Sequence, residues 1–129
     1  MSKKFIIEGS RIWSLESLYS EINRVLMSNE NWKIAASLDA FNDLLYGEFG
    51  NLKNVQNPIF IWKNFEDNAQ LFGTDFTIKW YQEKLKSNQY NSQLISDKLQ
   101  ELESGMGQTY FEIIEEIFKD HLNITLIKE

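Results

Sequence analysis

Four side chains in the stretch SLDAFNDLLYG, residues 37–47, are of types that make strong polar contacts: Asp39, Asn42, Asp43 and Tyr46. At about 100° of rotation per residue they gather on one side of a helix. Leu38, Phe41, Leu44 and Leu45 take another side, at the spacing of a core-facing stripe. The helix thus presents two carboxylates, an amide and a phenol to whatever lies outside it. Like charges four apart repel by a few tenths of a kcal/mol, roughly 0.2–0.5. Between Lys33 and Lys53 there is no Lys or Arg, while Asp39, Asp43 and Glu48 all fall there, so the local field is negative. An isolated acidic helix is more often a solvated face than a site, and the rest of the chain has to decide.

The stretch needs a scaffold, and local signals supply one. Ser37 is placed to cap the helix start and Gly47 to end it. Upstream, Phe5-Ile6-Ile7 reads as a strand buried on both faces, and Ser14 opens a helix carrying Leu15, Leu18, Tyr19, Ile22, Val25 and Leu26 on one side. Downstream, Pro58 precedes a second apolar strand, Ile59-Phe60-Ile61-Trp62. Phe65 to Phe72 predicts two helical turns, and Thr74 or Asp75 caps a helix running through Leu85. Ser87 to Ser92 reads as a linker, followed by a helix with Leu94, Ile95, Leu99 and Leu102. Thr109 and Glu112 form a capping box for a last helix, and Ile124 to Ile127 a third strand. Apolar strands separated by helices imply parallel pairing through crossovers, hence an α/β domain with a small three-stranded parallel sheet packed by helices.

Composition removes several functions. The 129 residues suit one domain, 1–129, and a hydrophobic fraction of 43% is enough for a packed core. There is no cysteine, so no disulfide, thiolate nucleophile or Cys-bound metal is expected. No apolar run approaches a membrane span and the N-terminus lacks a signal-peptide core, which predicts a cytoplasmic protein. A net charge of −6 argues against nucleic acid and fits either a basic partner or a protein that is simply soluble.

The acidic stretch resembles the recognition helix of the barstar family, inhibitors of barnase-type ribonucleases. Leu38-Asp39-Ala40, Asp43 four residues after the first aspartate, and Gly47 carry the likeness. FIIEGSRI resembles the family's first strand and turn, NPIFIWKNFE its second strand, and EEIFKDHLNITLI its last helix and closing strand. The resemblance implies an intracellular inhibitor whose carboxylates stand in for RNA phosphates in a basic active site. Asp43 would be the central mimic, Asp39 its support and Glu116 a third acidic contact, with Asn42, Tyr46, Gly47 and Trp32 around them. Residues 67–107 are longer than the family's short form, a helical insertion before the last helix. Trp32 stands where a contact tyrosine is expected, and Asn42 where the family has an aromatic.

Two other readings compete. Asp39, Asp43 and Glu116 could hold a divalent metal, or a carboxylate pair could do acid–base chemistry. The chain offers little else for catalysis: one histidine, no phosphate-binding loop and no nucleophile elbow. His121 fits a packed or helix-ending histidine better than a base, so no enzyme, metal or cofactor is expected. The other reading keeps the fold as an immunity or adaptor protein for a different basic effector, with Trp32, Trp80 or residues 87–107 setting specificity.

Overall fold

The computed structural model describes residues 3–87 and 90–129; Asn88 and Gln89 of the expected linker lie outside the described residues. Three strands, β1 (Lys4–Glu8), β2 (Ile59–Lys63) and β3 (Thr125–Lys128), form one parallel sheet in the order β1-β2-β3. Ile6, Ile61 and Ile127 lie in register across it. The first crossover carries α1 (Leu15–Leu26) and α2 (Leu38–Leu45). The second carries α3 (Phe65–Leu71), α4 (Thr74–Leu85), α5 (Ser92–Glu103) and α6 (Tyr110–Asp120).

Both crossovers step across the sheet in the same direction. Right-handed connections of that kind put their helices on the same face. Phe5, Ile7, Phe60 and Trp62 on that face are buried, whereas Ile6 and Ile127 on the other are 42% and 40% exposed. The strands are therefore covered on one face only, which corrects the expectation that β1 is buried on both. An unbroken apolar run does not reveal the direction of the crossovers, and that direction leaves the second face open.

The helix starts follow their caps. Ser14 and Ser17 make a reciprocal capping box on α1, and Thr109 and Glu112 make one on α6. For α4 the expectation is corrected: Gly73, not Thr74 or Asp75, is the residue before the helix. Thr77 instead donates its hydroxyl to Gly73 O at 2.7 Å and accepts the Tyr110 amide at 2.8 Å, tying α4 to the start of α6. The rings of Phe76 and Trp80 meet Tyr110 edge-on. Residues 74–103 thus form a pair of helices, α4 docked on α6 and α5 on α4, with Ile95, Leu99 and Leu102 of α5 buried.

Tyr110 also reaches α1, where its hydroxyl lies 2.6 Å from that of Tyr19. Burial raises both phenols above their ordinary range; Tyr110 is pushed up to about 12, with the Tyr19 hydrogen bond pulling the other way. Unfolded tyrosines ionise near pH 10, so above that pH the unfolded chain holds fewer protons than the folded one. Stability must therefore fall as pH rises, by about 1.4 kcal/mol per pH unit for each phenol still protonated. Denaturant unfolding between pH 9 and 12 should show this decline, and a Tyr19→Phe/Tyr110→Phe chain should flatten it. An equally steep decline in that variant would place its cause elsewhere.

Candidate functional site

Ser37 starts α2 by accepting the Ala40 amide at 3.1 Å, and Gly47 ends it with a φ of 79°. Phe41, Leu44 and Leu45 anchor the helix in the core, with Phe41 edge-on to Phe118 of α6 at 5.3 Å. The outward side carries Asp39, Asp43 and Tyr46, all exposed. Among the described residues neither aspartate's carboxylate has an ion-pair or hydrogen-bond partner. These are two unneutralised carboxylates on a helix that cannot easily shift.

Asn42 has a second occupation. Its Oδ1 lies 2.8 Å from Nε2 of His121, the residue that ends α6, and the Tyr46 ring packs edge-on to that imidazole at 4.6 Å. The amide is half-buried and joins α2 to α6, a role that helical angles alone do not show. Burial lowers the His121 pKa against an upward pull from Asp120, which favours a neutral ring. His121 thus acts as a packed brace under the acidic helix.

Trp32 lies beyond the C-terminal end of α2, its ring 5.1 Å from Phe49 in the loop after Gly47. It is half-exposed. Glu116 is exposed on α6 and bonded to Gln108, in a hollow shared with Glu112, Glu115 and Lys119. Its bonding partner is thus on its own side of α6, not on α2. Among the described residues no three His, Asp or Glu side chains stand close enough together to hold a metal ion.

On the N-terminal side of α2 the helix α4 and the segment after it supply residues, Lys84 and Tyr90 among them, that the sequence did not point to. Trp80, Lys84 and Tyr90 line a groove of about 530 Å³ together with Ser37 and Asp39. Trp80 and Lys84 are four apart on α4, so their shared face was readable, but their placement beside Asp39 was not.

No family model, curated protein or solved structure matches the chain. Among the described residues no helix is long and apolar enough to cross a membrane. A larger groove, about 790 Å³, runs along α1 past Trp13, Arg11 and Arg24. Its guanidinium groups are already turned to a buried carboxylate: Glu21 takes Arg24 at 2.7 Å and Arg11 at 3.4 Å, and also accepts the Glu8 amide. That cluster pins the end of β1 to α1, and the acidic helix remains the stronger candidate for recognition.

Proposed function

We propose that this protein inhibits a basic ribonuclease in the manner of barstar, by laying α2 across the enzyme's phosphate-binding cleft. The supporting observation is the pair of unpartnered carboxylates, Asp39 and Asp43, on a helix held at both ends and along its inner side. A cleft that binds RNA phosphates presents Arg, Lys and His, and carboxylates can take the positions of those phosphates. A helix already rigid loses little further freedom on binding, so more of the contact energy appears as affinity. Asp43 is the central mimic, Asp39 supports it, and Tyr46, Gly47 and Trp32 surround them. Glu116 would join only where the partner reaches across to the outer side of α6. Asn42 contributes by holding the helix in place.

Affinity capture from extract of the source organism tests this, with wild-type and Asp43→Ala protein as paired baits at low and high salt. The expected outcome is a basic ribonuclease retained by the wild type, released by salt, and bound 10- to 100-fold more weakly by Asp43→Ala. That range corresponds to loss of one charge-assisted hydrogen bond, about 1.5–3 kcal/mol. A nuclease held equally by both baits would overturn the proposal. A basic protein other than a nuclease, lost with Asp43→Ala, would retain the acidic helix and make the chain an immunity or adaptor protein.

A further inference from the structure

The groove between the start of α2 and α4 holds an arrangement that the acidic helix alone does not explain. The ammonium of Lys84 lies 4.5 Å from the centre of the Trp80 ring and 4.0 Å from that of Tyr90. Lys84 is half-buried, yet among the described residues no ion pair includes it, and neighbouring Glu83 is taken by Lys86 at 2.9 Å. Two aromatic faces thus hold a cation by their ring quadrupoles while Asp39 lines the same hollow. Trp80 is itself steadied by Tyr110, 4.9 Å away and edge-on, and Tyr110 is bonded to Tyr19. The wall is therefore preformed.

We propose that this groove is a binding site for a cationic side chain of the partner, an arginine or a lysine, and that Lys84 fills it in the free protein. The inference rests on the reading of α2 as the docking face, which it extends onto α4 and the segment after it. A guanidinium suits the site better than the resident ammonium. It is planar, stacks flat on aromatic rings, is more weakly hydrated, and can bond Asp39 at the same time. Lys84 sits on a flexible four-carbon stem and can withdraw to water, so the exchange replaces one cation–ring contact by another and adds an ion pair. The neighbouring fields agree with this choice of ligand: the groove has acidic residues at its rim, and the chain carries a net charge of −6.

A resident lysine competes with the incoming cation, which gives the test its sign. The probe is a nona-arginine peptide titrated by calorimetry into the full chain, with the Trp80 indole followed by NMR. Lys84→Met is expected to tighten binding at least 3-fold. Lys79→Met, an equal charge change on the exposed side of the same helix, should alter it less than 2-fold. Tyr90→Ala should weaken binding and erase the gain from Lys84→Met in the double variant, with the Trp80 indole shifting only while Tyr90 is present. Equal effects of Lys84→Met and Lys79→Met would overturn the proposal, because the general field would then account for binding. Asp43→Ala, run beside them, separates the two readings. If it weakens binding while Lys84 and Lys79 behave alike, the acidic helix stands and the groove falls. If it changes nothing while the Lys84 and Tyr90 pattern holds, the groove stands without the helix. A peptide that binds none of these chains overturns the groove.

Discussion

Replacing Asn68 by alanine is expected to lower stability by about 3 kcal/mol, chiefly because it orphans a buried indole N–H. Asn68 is 2% exposed and sits at the joint of three elements. Its Oδ1 accepts Trp62 Nε1 at 2.7 Å, and its Nδ2 donates to Gly9 O at 3.2 Å. Gly9 O keeps a second donor in the Ile12 amide, so its loss is partial. The indole has no such reserve, since Trp62 is fully buried among Phe65, Phe111 and Phe118. Urea unfolding should show a lower midpoint at an unchanged slope. Trp62→Phe in the Asn68→Ala background should cost less than it does in the wild type, because the donor left stranded is then gone. An unchanged midpoint for Asn68→Ala would mean that water reaches the indole. The consequence for function is indirect: Trp62 supports Phe118, and Phe118 supports Phe41 of the acidic helix.

What could be read in the sequence was what local chemistry encodes. Ser14, Ser37 and the Thr109–Glu112 box each mark a helix start with a side chain that satisfies an exposed amide, and each start lies where they place it. The apolar runs at 5–7, 59–62 and 124–127 locate the three strands to within a residue or two. Contacts between distant segments were not legible. The open face of Ile6, Ile61 and Ile127 follows from the direction in which the crossovers step, which no single strand reveals. Asn42 falls on the polar side of α2 by angle, yet it meets His121, 79 residues away. Lys84 looks like any surface lysine until the fold sets it between two rings and beside Asp39. Gly73 carries no side chain to announce a cap, so Thr74 and Asp75 drew the reading instead.

These joints share a logic. The Asp39 and Asp43 carboxylates have no described ion-pair or hydrogen-bond partner, and what fixes their helix acts from behind it, from its ends and, through Asn42 and Tyr46, from its edge. Phe41 holds it on Phe118, Asn42 on His121, and Ser37 at its first turn. Repulsion between Asp39 and Asp43 works against the helix. A helix that carries unneutralised charge needs this bracing, and the bracing residues are expected to alter affinity without touching the partner. The loop that follows α2 provides the most severe test of that bracing.

Gly50→Ala is expected to cost about 4 kcal/mol, from a left-handed backbone of roughly 1–2 kcal/mol and overpacking of roughly 1–3 kcal/mol. Gly50 has a φ of 74°, and a Cβ there would stand 2.5 Å from Leu26 O, 3.0 Å from Met27 Sδ and 3.3 Å from Leu44 Cδ1. The nearest of these is backbone and cannot turn aside. The residue is also held by Glu30, whose carboxylate accepts the Gly50 amide at 3.0 Å. Gly105→Ala is the matched control: its φ is 83°, but nothing lies within 4 Å of the added methyl. It should lose only the conformational part, about 1–2 kcal/mol. The difference between the two variants, read by urea unfolding, isolates the close approach of the loop to the end of α1. Equal losses would show that the loop yields, and the packing of Phe49 and Trp32 beside α2 would then be soft. A much larger loss at Gly50 means that Leu44, on the inner side of the acidic helix, is clamped between that loop and the core. The positions of Asp39 and Asp43 then depend on packing that neither carboxylate touches.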